Sequence, residues 1–166
     1  MNIIINKALP EDSNALLEYL KQVGKETDNL SFGGEGLPFT IEDEAQYLAQ
    51  LQISADDIML LAKIDGKIIG NASLNRYPRR MSHRGELAIT VLKEYWNKGI
   101  GSQLITKIIE FAKTNNFDII DLQVRADNLA AIHLYKKFGF QKIGTHPAFF
   151  KIDNYIPFDY MYLSLK

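Results

Sequence analysis

The pattern of hydrophobic and polar positions divides the first half of the chain into strand-like and helix-like segments. Short apolar runs predict strands at residues 2–7, 58–63 and 67–75. Asp65 and Gly66 lie between the last two runs, and Asp-Gly is a strong signal for a two-residue hairpin. One helix is predicted from Pro10 to about Val23, and a second is predicted to begin after the capping residue Thr40.

Strands and helices alternate in the second half of the chain. The predicted order is a strand at 86–91, a helix around 104–112, a strand at 119–124, a helix at 128–138 and two closing strands. Gly139 follows the last helix, at a position that favours a left-handed residue. Hairpins combined with strand–helix alternation predict a mixed α/β sheet within a single domain, residues 1–166.

Composition and charge exclude several classes of protein. The 166 residues are 46% hydrophobic, which suits one compact domain, and the net charge of -1 provides no basic field for nucleic acid. The absence of cysteine excludes disulfides, thiolate metal sites and a cysteine nucleophile. The N-terminal apolar run is too short for a signal peptide, and no run approaches the ~18 residues of a membrane span. We therefore expect a cytoplasmic monomer or homodimer with no nucleic-acid or membrane partner.

Glycines at positions 99 and 101 suggest an anion-binding loop before the helix around 104–112. They allow a tight turn that exposes successive N–H groups beside the positive end of the helix dipole. A P-loop fits poorly because Lys98 precedes Gly99, and a dinucleotide fingerprint fits poorly because Leu104 replaces its third glycine. The pyrophosphate site of a coenzyme A enzyme and a plain strand-to-helix connection both stay open.

The segment from Glu86 to Gly144, about a third of the chain, resembles the core motifs of the GCN5-related N-acetyltransferase (GNAT) family. The matching parts are the strand ending in Val91, the loop from Trp96 to Gly101, the strand 119–124 and the highly specific segment 128–140. The family pattern for the loop is Gln/Arg-x-x-Gly-x-Gly/Ala, and Trp96 departs from it at the first position. Because backbone amides hold the phosphates, we expect coenzyme binding to persist.

The resemblance implies an acyl-CoA N-acyltransferase fold, with a mixed, mostly antiparallel sheet of about seven strands flanked by about four helices. The fourth and fifth strands would be splayed apart to admit acetyl-CoA, whose pantetheine arm would pair along Val91 and its neighbours. The implied coenzyme contacts are Val91, Trp96, Asn97, Lys98, Gly99, Ile100, Gly101, Ser102, Asn128 and Tyr135. Asn128 is equally suited to capping its helix.

The resemblance also implies an acetyltransferase that passes acetyl directly to a primary amine. An alkylammonium has a pKa of about 10, so fewer than ~1% of molecules are reactive at neutral pH without help. Glu86 is the expected base, directly or through water, and Tyr135 the expected acid for the departing thiolate. A backbone N–H of the strand containing Val91 would stabilise the oxyanion.

Structural alternatives exist for each of these chemical assignments. Glu86 suits an exposed strand position or an ion pair, and Tyr135 suits packing beside its apolar neighbours. His83 is another conceivable base because its titration lies nearest neutrality. His133 and His146 lack a partner at ligand spacing, so no metal site is expected. A non-catalytic acyl-CoA sensor or partner module is the alternative to an enzyme.

Acidic residues in the first third of the chain suggest where a cationic acceptor binds. Six of them lie between positions 25 and 44, although residues 42–44 also suit the first turn of a helix. By resemblance, this region forms one wall of the acceptor site, with candidates Glu26, Asp28, Phe32 and Glu35. The aromatic residues near the C-terminus are candidates for the opposite wall, although most of them suit packing of the last two strands: Phe149, Phe150, Tyr155, Phe158, Tyr160 and Tyr162. Small amines, polyamines, antibiotics, protein N-termini and lysine side chains all stay open as acceptors.

Overall fold

A computed structural model describes residues 1–166, and its seven strands form one continuous sheet in the order β1-β2-β3-β4-β5-β7-β6. The strands are β1 Ile4–Lys7, β2 Asp57–Ile64, β3 Lys67–Arg76, β4 Arg84–Val91, β5 Ile119–Arg125, β6 Gln141–Ile152 and β7 Asn154–Ser164. All neighbours run antiparallel except β4 and β5, which are parallel. The predicted mixed, mostly antiparallel sheet is confirmed.

Four α-helices accompany the sheet: α1 Ser13–Glu26, α2 Ile41–Gln52, α3 Ile100–Thr114 and α4 Leu129–Lys137. Thr40 caps α2 as predicted, because its Oγ1 accepts a hydrogen bond from the N–H of Asp43 at 3.0 Å. α1 runs to Glu26, past its predicted end near Val23, and begins after a 3-10 turn at Pro10–Asp12. None of the helices combines the length and apolar content that crossing a bilayer requires.

The helices cover both faces of the sheet. The Tyr19 hydroxyl of α1 lies 2.9 Å from Thr90 Oγ1 on β4, whereas Gly70, which pairs with Val91, faces Ile100 of α3. Because adjacent residues of a strand point to opposite faces, α1 and α3 lie on opposite sides of the sheet. The buried core is continuous and draws on all four helices or their flanks.

The sheet opens between β4 and β5. Their parallel pairing covers only three positions, from Arg84 opposite Ile119 to Glu86 opposite Asp121. β4 nevertheless continues to Val91 and β5 to Arg125. The splay expected from the sequence is present, and it leaves a gap in the middle of the sheet.

Candidate active site

The glycine loop leads directly into α3 and leaves backbone donors without intrahelical partners. Gly99 is the N-cap with a φ of 79°, and Asn97 also has a positive φ, of 60°. The first helical bond runs from Gln103 N to Gly99 O at 3.1 Å, and no side chain caps this helix end. The N–H groups of residues 100–102 therefore lie at the positive end of the helix dipole without an intrahelical acceptor. This arrangement suits an anion.

Trp96, at the divergent position of the loop motif, folds back onto the end of β4. Its indole Nε1 donates a hydrogen bond to the carbonyl oxygen of Val91 at 2.8 Å, while 44% of the residue stays exposed. Lys98 is exposed as well, with its Nζ 5.3 Å from the centre of the Tyr95 ring. The loop therefore presents a cation and an aromatic surface next to the unpaired amides of residues 100–102 in the chain.

The backbone of β4 presents polar groups to the gap. Leu92 N donates to Ile69 O at 2.9 Å, and Tyr77 N donates to Arg84 O at 3.0 Å, which fixes the alternation along the β3–β4 pair. Even-numbered residues of β4 bond to β3, so residues 87, 89 and 91 direct their N–H and C=O groups towards β5. Because β5 pairs with β4 only as far as Glu86, this edge has no strand partner.

α4 carries Tyr135 and approaches the start of α3. A Cβ on Gly101 would lie 2.9 Å from Leu134 Cδ2, so the two helices are in close contact here. The Tyr135 ring is buried and lies 5.7 Å from that of Phe140, and its hydroxyl forms no hydrogen bond with another residue. Burial raises the pKa of Tyr135 well above the ordinary value, so the phenol stays protonated. Asn128 caps α4, because its Oδ1 accepts from Ala131 N at 3.3 Å.

Glu86 lies at the closed end of the gap, opposite Asp121 of β5. It is half-buried and forms no ion pair or side-chain hydrogen bond, so the ion-pair alternative for this residue is not supported. Arg84 bonds instead to Asp121, with Nε 2.7 Å from Oδ2. Burial, followed by the negative charges of Glu86 and Asp121, raises the pKa of the neighbouring Tyr77. Glu86 is therefore a carboxylate without a competing cation.

A cavity of about 460 Å³ lies between the α1–α2 loop and β6. Its lining includes Asp28, Phe32 and Glu35 from the loop and Phe149 and Phe150 from the strand. The structure thus brings three of the four acceptor candidates together with two of the six aromatic residues considered for the opposite wall, whereas Tyr155, Phe158, Tyr160 and Tyr162 lie outside this lining. The remaining lining residues are Thr27, Leu30, Ser31, Gly33, Lys151 and Ile152.

The cavity combines acidic groups with an aromatic wall. Phe149 stacks on Phe158 of β7 with ring centres 4.4 Å apart, so this wall also packs the last two strands. Gly33 N donates to Glu35 Oε1 at 2.9 Å, and backbone donation of this kind lowers the pKa of Glu35. Asp28 is exposed and has no hydrogen-bond partner within the chain. Glu35 therefore remains ionised at this wall.

Glu26, the fourth acceptor candidate, lies outside the cavity lining. Its Oε2 accepts a hydrogen bond from Lys93 N at 2.8 Å, and Gln22 Nε2 donates to its Oε1 at 3.2 Å. The carboxylate thus connects the end of α1 to the segment that follows β4. The acidic residues 42–44 lie in the first turn of α2, where negative charge complements the helix dipole, as the alternative explanation predicts.

Tyr19 is a site-adjacent residue that sequence reasoning missed. It is 4% exposed, and its hydroxyl contacts Thr90 on the β4 segment that borders the gap. Burial raises the pKa of Tyr19, and the nearby carboxylate of Glu26 adds to the effect. A signal was present, since Tyr19 and Glu26 are two helical turns apart and share a face of α1.

The three histidines take no part in these clusters. His83 is exposed, and His146 Nδ1 accepts a hydrogen bond from Ala148 N at 3.1 Å. The structure contains no group of three or more histidine or carboxylate side chains placed to hold a metal ion.

Comparison with solved structures reveals close architectural relatives. A GNAT-family acetyltransferase from Streptococcus pneumoniae superposes with a TM-score of 0.95 at 34% identity, over 99% of this chain and 100% of that one. A putative acetyltransferase from Salmonella typhimurium, solved with acetyl-CoA, covers 100% of this chain and 95% of its own at a TM-score of 0.85. Its identity is 18%, so it supports the fold alone.

Sequence comparison identifies the family. An L-amino acid N-acetyltransferase of Escherichia coli is 38% identical over 52% of this chain and 54% of its own length. An N-alpha-acetyltransferase of Mycobacterium tuberculosis is 32% identical over 55% and 56%, so the chain spans about half the length of these curated relatives. The model of the acetyltransferase (GNAT) family matches residues 25–140, well over half of the chain. The chain belongs to the acetyltransferase (GNAT) family.

Proposed function

We propose that the protein transfers the acetyl group of acetyl-CoA to a primary amine in one direct step. The observation that carries this proposal is the free edge of β4 at residues 87–91, followed in the chain by the unpaired amides of residues 100–102. An extended ligand with amide groups and a phosphate end fits such an edge and helix start. Coenzyme A is such a ligand, because its extended pantetheine arm contains amide groups and ends in a pyrophosphate.

The coenzyme contacts follow from this placement. Val91 would pair with the pantetheine arm, and the loop from Trp96 to Ser102 would hold the pyrophosphate, with Lys98 adding a positive charge. Asn128 already caps α4 through Oδ1, which leaves its side-chain amide nitrogen available for the coenzyme.

Three groups would carry the chemistry. Glu86 removes a proton from the bound ammonium, directly or through water, and the amine nitrogen attacks the thioester carbon. A gap-facing N–H of β4 donates to the oxyanion that forms. The carbonyl then reforms as the C–S bond breaks, the thiolate takes the hydroxyl proton of Tyr135, and the second proton of the attacking nitrogen passes to the Tyr135 phenolate. Support for Tyr135 comes from its hydroxyl, which no other residue engages; burial raises the pKa of Tyr135, so the phenol holds its proton at neutral pH.

The cavity between the α1–α2 loop and β6 is the proposed acceptor site. Asp28 and Glu35 would attract the ammonium group, and Phe32, Phe149 and Phe150 would hold an apolar body or stack on the cation. The relatives from Escherichia coli and Mycobacterium tuberculosis are named for α-amine substrates. We therefore place α-amines of amino acids and peptides first among the acceptors, ahead of polyamines and aminoglycosides.

The test is release of free thiol from acetyl-CoA in the presence of an acceptor panel. The panel contains amino-acid derivatives, N-terminal peptides, polyamines and aminoglycosides, each at several concentrations. Rapid release with one class supports the enzyme and names its substrate. Tight binding of acetyl-CoA without release from any acceptor would favour the non-catalytic sensor, and absence of binding would refute the proposal.

A further inference from the structure

We propose that Tyr19, Glu26 and Trp96 are positioning residues that hold the end of β4 in the geometry that binds acetyl-CoA. We call these three residues the β4 clamp, and the inference rests on the proposed function. Such support is needed because residues 87–91 have a strand neighbour on one side only, β3. A strand end that is free on its other side has fewer contacts to fix its position.

The three clamp residues form hydrogen bonds to nearly consecutive residues at the end of β4 and just after it. The Tyr19 hydroxyl lies 2.9 Å from Thr90 Oγ1, and Trp96 Nε1 donates to Val91 O at 2.8 Å. Lys93 N donates to Glu26 Oε2 at 2.8 Å. The three bonds therefore secure the segment that joins the gap-facing edge to the glycine loop and the unpaired amides of residues 100–102.

A carbonyl oxygen has two lone pairs, so the bond from Trp96 leaves Val91 able to accept a second donor from the gap. The indole therefore fixes the orientation of this carbonyl without blocking it. A preorganised acceptor binds its ligand more tightly, because less freedom is lost on binding. Trp96 thus takes a structural part at a motif position where the family usually has Gln or Arg.

Two members of the clamp belong to the helix that also supports the acceptor cavity. Tyr19 and Glu26 lie on one face of α1, and the chain continues from Glu26 through Thr27 and Asp28 into the cavity wall. Gln22 donates to the other oxygen of Glu26 and orients the carboxylate. The clamp therefore connects the acceptor side of the protein with the coenzyme side.

The decisive variant is Glu26→Ala, compared with Glu26→Gln, whose carbonyl oxygen still accepts from Lys93 N. The matched control is Glu18→Ala, which removes an exposed carboxylate of the same helix that pairs only with Lys21. Coenzyme A is titrated into each protein, and the fluorescence of Trp96, the one tryptophan of the chain, reports binding. Thermal unfolding is recorded in parallel.

Loss of one hydrogen bond predicts a Kd for coenzyme A about five-fold higher in Glu26→Ala. Glu26→Gln is expected to stay within about two-fold of the parent, and Glu18→Ala to match it. A parent-like Kd in Glu26→Ala would overturn the inference, and so would a Gln variant as weak as the Ala variant.

A second variant covers the case in which Glu26→Ala does not fold. Tyr19→Phe removes only the hydroxyl that contacts Thr90 and keeps the packing of the ring. Calorimetric titration of this variant is expected to show weaker coenzyme A binding. Unchanged affinity there would also refute the clamp. If the parent itself fails to bind coenzyme A, the proposed function falls, which is a different result from equal binding by parent and variants.

Discussion

Replacing Gly24 with alanine should displace the loop that lines the acceptor cavity. Gly24 lies inside α1, and an added Cβ would meet Gly33 O at 2.0 Å and Gly33 C at 2.6 Å. Both are backbone atoms, which cannot rotate away as a side chain does. The loop therefore packs so closely on α1 that position 24 accommodates only hydrogen.

Two opposing effects determine how much stability the Gly24→Ala variant loses. Alanine is favoured over glycine in a helix by about 1 kcal/mol, whereas overpacking costs about 1–3 kcal/mol. A 2.0 Å approach lies far inside any real contact, so the upper end of that range applies and the net loss is about 1–2 kcal/mol. For a chain of this size, the loss lowers Tm by about 2–8 °C. Because Tyr19 and Glu26 hold α1 to β4, the loop moves rather than the helix.

The assay combines thermal unfolding with steady-state acetyl transfer. Gly24→Ala should lower Tm and raise the KM of the acceptor, since Phe32 and Gly33 line the cavity, while the Kd of coenzyme A changes less than about two-fold. Gly144→Ala is the matched control, because its added Cβ meets nothing within 4 Å. A Gly24→Ala protein at least as stable as the parent, with an unchanged acceptor KM, would refute this packing of the loop.

Further predictions concern the chemistry, the loop and alkaline pH. Tyr135→Phe should lower kcat by about 10²–10⁴-fold at an unchanged Kd for coenzyme A, and equal turnover in the thiol-release assay would remove the acid assignment. Glu86→Gln should lose activity near neutrality and regain it towards pH 10, where amines deprotonate unaided; a deficit independent of pH would contradict a base. Gly99→Val should weaken coenzyme A binding roughly ten-fold, because a β-branched residue at a φ of 79° costs about 1–2 kcal/mol. Burial raises the pKa of Tyr19 and Tyr135. Their contribution to the free energy of unfolding is therefore fully present below the unfolded tyrosine pKa of about 10 and decreases as pH rises above it. Urea denaturation at pH 8 to 11 should show a smaller decrease for Tyr135→Phe than for the parent.

Local signals predicted most elements of the fold because their causes are local. Asp65 and Gly66 form the turn between β2 and β3, Thr40 caps α2, and Gly139 follows α4 with a φ of 96°. The end of α1 was misplaced near Val23, whereas the helix continues to Glu26. Gly24 lies inside the helix, with the backbone of Gly33 packed against it. That contact is tertiary and leaves no local trace.

The geometry of the glycine loop was easier to predict than that of the proposed acceptor side for the same reason. The amides of residues 100–102 are neighbours in sequence, so the spacing of the glycines and the family motif describe them together. The acceptor cavity joins Phe32 to Phe150 across most of the chain, and no periodicity relates them. The charge of Glu26 suggested an acceptor contact, whereas the fold engages that charge with a backbone N–H of Lys93.

The topology of the sheet also determines the direction in which a ligand enters it. The gap is closed where residues 84–86 pair with β5 and open at Val91, where β4 ends and the chain continues to the unpaired amides of residues 100–102. The five residue steps from Glu86 to Val91 span about 16 Å of strand. A phosphate held at the open end would therefore direct the far end of an extended ligand towards Glu86. In the proposed function, the parallel pairing at one end of the gap and the helix dipole at the other together orient the coenzyme, so any change that prolonged the β4–β5 pairing would close the proposed site.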